Sequence, residues 1–414
     1  MLARLHSIAP VLLGITVAQL ALGALAPLIT VLLTERSVAT PTIGLITSAY
    51  YLGFLAGSLS AARIVDRVGH IRAFTVFAAI AADCVLLHAL TASAPVWGVL
   101  RAATGYAMAG SFLIAESWLN AKADSASRGR IFGAYLFATW SASAVGPLAL
   151  NLAHPAQSFL FILIAMGFVT ALVPMALTQV NNPEIADRAR FGVRRLFVIS
   201  PLGVVACCAS GLVNSAFYGL LPVYGERIGL GAARLSLLLA TALVGGLVAQ
   251  FPIGLLSDRF GRRPVMLGSI VAAILLAGGI VAIGAETFAA LLPLAFLYAG
   301  LTAPLYGLGA GQTNDYISAK EFVGASGGLL FAWALGASAG PTAAAAVMGA
   351  VGPDGLFFYI GGALAAVALF TIFRMLRRSG LPVMLQGGFV PAPQTPPRIA
   401  GLDPRSPGKR EEPR

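Results

Sequence analysis

Charged side chains are scarce in this chain, so the few that interrupt its apolar runs mark where chemistry can occur. Asp83 and Arg101 each lie about two helical turns inside a long apolar stretch, on neighbouring stretches that run in opposite directions. A charge at that depth is costly and faces protein or a water-filled cavity, so the pair is expected to meet. A denser group occurs twice, as "VDRVGHIR" at residues 65–72 and as "SDRFGRRP" at residues 257–264. The first copy supplies Asp66, Arg67, Gly69 and Arg72; the second supplies Asp258, Arg259, Gly261, Arg262 and Arg263. In each, the carboxylate can face the positive end of a neighbouring helix, the glycine permits a left-handed turn, and the arginines are expected to anchor at lipid headgroups. This is the chemistry of holding two parts together and letting them go. No Ser-His-Asp, metal-ligand or phosphate-loop spacing accompanies it. No catalytic residue, metal or cofactor is therefore expected, and direct ATP drive is not expected either.

The elements that carry these residues are set by composition. The chain has 414 residues, of which 58% are hydrophobic and only 10% charged, with a mean hydropathy of +0.86. Soluble domains are far more charged. Uncharged stretches long enough to cross about 30 Å of hydrocarbon as helices recur along it. Twelve spans fit, near residues 8–33, 42–63, 73–91, 95–118, 131–152, 158–178, 197–222, 235–256, 265–284, 288–314, 323–349 and 356–376. The runs are too long and too evenly apolar for membrane-spanning strands. An all-α membrane protein is expected.

The formal net charge of +11 encodes orientation rather than nucleic-acid binding. Arginine and lysine cluster in alternate loops, around Arg63, Arg67 and Arg72, then Lys122, Arg128 and Arg130, then Arg188 to Arg195, then Arg259 to Arg263. Both termini fall on that side, which places them in the cytoplasm. Cys84, Cys207 and Cys208 lie within spans and read as small core residues.

The doubled loop is one of several landmarks that recur. At an offset of 192, Asp66, Arg67 and Gly69 fall on Asp258, Arg259 and Gly261; at nearly the same spacing Gly105 answers Gly300 and Gly146-Pro147 answers Gly340-Pro341. Six spans have been duplicated. The expected organisation is a six-helix unit over 1–178, a linker over 179–196, a second six-helix unit over 197–378 and a disordered tail over 379–414. The copies differ, since Ala62 and His70 stand where the second copy has Gly254 and Arg262.

The "D-R-x-G-R-R" loop, the Arg101-x-x-Thr104-Gly105 run and the Gly-Pro of the fifth span resemble the major facilitator superfamily. Within it, "AESWLNAKADSASRGRIFGAYL" at residues 115–136 is similar to a bacterial inner-membrane subgroup whose members mostly lack assigned substrates. The resemblance implies two pseudo-symmetric six-helix bundles around a central site opened alternately to each side. It also implies that Arg101 serves protons or substrate, beside the simpler reading as a structural ion pair with Asp83. Glu116 is expected to close a gate by pairing near Arg67, Arg72 and Arg130. Gly146-Pro147 and Gly340-Pro341 are helix-kink sites, and in this family the Gly-Pro of the fifth span accompanies export.

Spans one, four, seven and ten line the cavity in the family. Here they offer Gln19, Tyr106, Met108, Asn214, Phe217, Tyr218, Tyr298, Tyr306 and Gln312 as substrate contacts. That set is aromatic and sparingly polar, suited to an amphiphilic organic molecule rather than a polyanion. Two function classes follow: a proton-coupled secondary transporter, by antiport and efflux or by symport of a sugar or metabolite, and a sensor that kept the fold without transport. The expected partners are a small molecule, protons and membrane lipids, with no nucleic acid, and the expected oligomeric state is a monomer.

Overall fold

Backbone groups in lipid must find partners within their own segment, and the apolar runs accordingly form long helices. The computed structural model describes residues 2–122, 128–177, 192–284, 287–318 and 321–389. In chain order the long helices are α1 (Leu2–Glu35), α2 (Thr40–Val68), α3 (His70–Leu90), α4 (Ala94–Lys122), α5 (Arg128–Val145) and α6 (Ser158–Thr170). After a short helix at Val193–Ile199 come α7 (Pro201–Arg227), α8 (Ala232–Phe260), α9 (Arg262–Ile283), α10 (Phe288–Thr302), α11 (Phe322–Val351) and α12 (Gly355–Arg377). Two of them break and resume, α6 as Leu172–Ala176 and α10 as Leu305–Asn314. Pro174 and Pro304 stand at those breaks, where proline removes a helical hydrogen bond.

Eleven helices among the described residues are long and apolar enough to cross a membrane. The exception among the twelve expected spans is α4, which is 29 residues long but interrupted by Arg101 and Glu116. The basic parts of the expected linker, Arg188 and Arg190, lie outside the described residues.

The duplication is visible in how helices cross. A β-carbon on Gly53 of α2 would lie 1.8 Å from the Ala102 carbonyl of α4, and one on Gly105 would lie 1.9 Å from the Tyr50 carbonyl. In the second half, Gly245 of α8 meets the Phe296 carbonyl of α10 at 2.2 Å, and Gly300 meets Ala249 at 2.9 Å, in the same sense. Only glycine allows backbones to approach this closely. The halves, α1–α6 and α7–α12, meet chiefly along α2 with α11, α5 with α8, and α1 with α7.

Gly-Pro does different things in the two copies. α5 stops at Val145 and tightens into a 3-10 turn over Gly146–Asn151, whereas α11 runs unbroken through Pro341. Gly146 lies against the backbone of Gly23, and Gly340 against that of Leu212.

The turns after α2 and α8 share one geometry. Gly69 has φ 83° and ψ 166°, Gly261 φ 88° and ψ 154°, a region essentially reserved for glycine. These two turns define one end of the molecule, called here the motif end.

Candidate functional site

The central site is built where α2, α4 and α11 cross. The Gly53–Gly105 contact brings Tyr50 of α2 against α4, and the Arg101 guanidinium lies over the Tyr50 ring at 4.7 Å. Arg101 is 4% exposed, and its Nη1 has no hydrogen-bond partner among the described residues. A desolvated cation on an aromatic face gains about 2 kcal/mol, less than its burial costs. Tyr51 and Phe54 then reach across to Trp333 of α11, with ring centroids 6.0 and 5.9 Å apart, and Phe54 also meets Phe112. Tyr218 of α7 lies within electrostatic range of both Tyr51 and Tyr298. Four buried polar atoms here, the Tyr218 and Tyr298 hydroxyls, Asn214 Oδ1 and Trp333 Nε1, have no hydrogen-bond partner among the described residues.

The expected Asp83–Arg101 pair does not form. Asp83 is exposed on α3 while its neighbours Ala82 and Cys84 are buried, and the three ion pairs among the described residues involve neither group. Depth along two helices set the expectation, but rotation about each axis decides contact. Arg101 turns toward α2 and Asp83 turns outward.

The expected substrate residues divide. Asn214, Phe217, Tyr218 and Tyr298 come together: Asn214 Nδ2 donates to the Thr302 carbonyl at 3.1 Å, and the Phe217 and Tyr298 rings are 4.5 Å apart. Gln19 donates to Ser143 Oγ at 3.2 Å, and Tyr106 accepts from Ser60 Oγ at 3.1 Å, each within its own half. Met108, Tyr306 and Gln312 are buried, Met108 and Tyr306 within the hydrophobic core. The reading by spans missed Tyr50, Tyr51, Phe54 and Trp333, because α2 and α11 were not among the lining helices. The signal was present, as bulky aromatics beside Gly53 and Gly336 on helices that cross closely.

The motif end is asymmetric. Arg262 is a buried hub rather than a headgroup anchor. Its Nε donates to Asp315 Oδ2 at 2.8 Å, and its Nη1 donates to Ser257 Oγ at 3.2 Å and lies 3.6 Å from Asp258 Oδ1. In the first half, His70 occupies the matching place and its Nε2 meets Ser117 Oγ at 3.0 Å. Asp66, Arg67, Arg72 and Arg130 are exposed. None of them forms an ion pair or hydrogen bond with a described residue. Asp258 accepts not from the start of a neighbouring helix but from the Phe389 amide, at 2.8 and 3.0 Å to its two oxygens. The expected disordered tail is thus seated here through Phe389; residues 390–414 lie outside the described residues. Arg263 donates to the Arg378 carbonyl at 2.7 Å and to the Tyr316 hydroxyl at 3.0 Å, while Arg259 lies over Phe260.

Glu116 is fully buried and accepts from the Tyr135 hydroxyl of α5 at 3.1 Å. No described contact ties it to Arg67, Arg72 or Arg130. Beside the short linker helix, Glu321 pairs with Arg195 at 3.1 Å. The Ser318 amide and hydroxyl hold its carboxyl below the usual range, with Arg195 adding to the effect.

At the opposite end the halves are joined by side chains. Arg227 donates to Thr40 Oγ1, Thr342 Oγ1 to Ser48 Oγ at 2.8 Å, and Asn151 Nδ2 to Ser236 Oγ at 2.8 Å. Gly44 of α2 packs on the Pro341 carbonyl and Ala345 of α11. Among the described residues, no hydrogen bond joins the halves at the motif end.

Known proteins agree with this architecture. The chain is 26% identical over 372 residues to an uncharacterized MFS-type transporter YcaD of Salmonella arizonae, a match covering 89% of this chain and 95% of the relative. Its fold is similar to the crystal structure of the nucleoside transporter NupG, with a TM-score of 0.72 at 14% identity, covering 91% of this chain and 99% of that one. It is also similar to a bacterial homolog of the human lysosomal transporter Spinster, with a TM-score of 0.68 at 12% identity, covering 97% of each chain. The family model of the Major Facilitator Superfamily matches residues 11–245 and 204–400, and with two glycine-crossed six-helix halves around a shared aromatic site, the chain belongs to that superfamily.

Proposed function

We propose that this protein is a secondary active transporter that moves a small amphiphilic organic molecule across the bacterial inner membrane by alternating access. The carrying observation is the unequal closure of its two ends. Cross-half hydrogen bonds join the halves at the end with Thr40, Ser48 and Asn151, and at the motif end Asp66 and Arg67 stand exposed. Basic residues concentrate at the motif end, which makes it cytoplasmic by the positive-inside rule. The state described is then open to the cytoplasm.

The guest meets Tyr51, Phe54, Trp333 and Tyr218, with Arg101 behind them. Flat aromatic walls with few polar atoms suit an amphiphile with an aromatic or conjugated part, and the buried guanidinium favours one acidic group on it. Proton coupling is assigned to Glu116 in place of Asp83. Glu116 is the buried carboxylate of α4, bonded to α5 and within electrostatic range of Tyr306 of α10. Its bond to α5 lets its charge state bias how α4 and α5 move.

The test has two steps. Compounds are screened for thermal stabilisation of the purified protein, and each binder is assayed for counterflow in proteoliposomes carrying a pH-sensitive dye in the lumen. Transport predicts saturable flux with proton movement, lost in Glu116→Gln while binding persists. Binding by several compounds with no flux of any of them would favour a sensor that retained the fold.

A further inference from the structure

The geometry points to an autoinhibitory strap: residues 379–389 sit on the second copy of the doubled loop and hold the motif end apart. This inference rests on the alternating-access reading.

The segment leaves α12 at the motif end and is pinned residue by residue. Arg263 Nη1 holds the Arg378 carbonyl. Gln386 Nε2 donates to the Leu381 carbonyl at 2.8 Å, closing a loop around a single 3-10 turn at Val383–Leu385. The Gly387 amide donates to Asp315 Oδ1 at 3.1 Å, and its carbonyl accepts from Arg262 Nη2. The Phe389 amide then donates to both oxygens of Asp258. Arg262, Asp315 and Asp258 thus act as one receptor for the backbone of the strap.

The Phe389 ring explains why the strap matters for movement. It rests on Gly254, where a β-carbon would lie 2.2 Å from Phe389 Cδ1. It lines a cleft formed by Phe132, Gly133 and Trp140 of α5 and by Leu247 and Gln250 of α8. α5 and α8 belong to opposite halves, so the ring is a wedge between them. The same Asp258 oxygens that face Phe389 are those that could cap the start of α5 if the halves closed. Strap and α5 compete for one carboxylate. The first half has no equivalent seat, because Ala62 replaces Gly254 and His70 replaces Arg262.

Two variants of the full chain separate ring from amide. Phe389→Ala removes the wedge and keeps the N–H; Phe389→Pro removes both. Spin labels are placed at Arg130→Cys and Phe260→Cys at the motif end, or at Glu35→Cys and Ala233→Cys at the opposite end, with Cys84, Cys207 and Cys208 replaced by Ala. Pulsed dipolar spectroscopy reads the distances in lipid nanodiscs. Phe389→Pro should raise the ratio of short to long motif-end distances about tenfold, the factor one charge-assisted hydrogen bond carries, with a smaller rise for Phe389→Ala. The opposite-end distances should lengthen in step. Motif-end distances unchanged or longer in both variants would overturn the strap. A shorter motif end with an unmoved opposite end would keep the wedge and overturn alternating access.

Discussion

Removing either partner of the Arg262–Asp315 pair should be costly, and removing both should cost less than the sum. The Arg262 side chain is 0% exposed, that of Asp315 2%, and Nε lies 2.8 Å from Oδ2. Arg262→Met leaves the Asp315 carboxylate buried with one remaining described donor, the Gly387 amide. Truncating one partner of a buried pair costs about 3–5 kcal/mol. Asp315→Asn keeps the shape but removes the charge, leaving Arg262 with Asp258 at 3.6 Å as its nearest acid. The double variant strands neither charge on the other, so the coupling should be about 2 kcal/mol in favour of the pair. Reversible unfolding of the four proteins in mixed detergent–SDS micelles measures each difference. The matching His70→Ala in the first half removes the bond to Ser117 and the edge contact with Trp118, of which the hydrogen bond is worth about 1 kcal/mol. A coupling below about 0.5 kcal/mol, or equal losses at Arg262 and His70, would refute the view of Arg262 as a charged hub.

Gly105→Ala would place a methyl 1.9 Å from the Tyr50 carbonyl and should cost about 3 kcal/mol or more; Gly98→Ala, with nothing within 4 Å, should leave thermal unfolding unchanged. Asp83→Asn, exposed on α3, should shift stability by less than about 0.5 kcal/mol, as the same unfolding assay would show. The Glu321 carboxyl is held below its ordinary value of 4.5. Its contribution is therefore present above that value and lost as pH falls through the lower folded value, so the Tm gap between the parent and Glu321→Gln should be open at neutral pH and closed in acid.

Much of the architecture was legible because hydropathy and repeats report axial position. Span ends fell within a few residues of most helix ends, and Gly69 and Gly261 could be read as turns because only glycine takes that backbone conformation. What sequence does not report is rotation about a helix axis. Asp83 and Arg101 lie at similar depth yet face different neighbours, since one residue turns a helix by about 100°. Nor does it report distant partners. "RR" at 262–263 reads as a headgroup anchor until Asp315, 53 residues on, is seen to receive Arg262. The tail misled for a related reason. The proline cluster at 391–397 that suggested disorder lies outside the described residues, but ahead of it the Gly387 and Phe389 amides are satisfied by Asp315 and Asp258, carboxylates that no local pattern points to.

The misreadings of Arg262 and of the tail share a location, and that location makes the two halves unequal. The duplication placed the same loop after α2 and after α8, with the same glycine geometry, so the ancestral turn persists in both. The chemistry around it has diverged. The first copy keeps a histidine bonded to serine, leaving Asp66 exposed and available. The second buries an arginine among two aspartates, and a buried charge demands that its donors be used. Arg262 has more donors than Asp315 and Asp258 can take in this geometry, and the Gly387 carbonyl accepts one of them. Seating the tail thus completes the hub's hydrogen bonding and in the same step covers the Asp258 oxygens. On the alternating-access reading proposed above, the hub that stabilises the second half also seats the strap that holds the motif end open. The first half, with neither hub nor seat, is the side left free to move toward it.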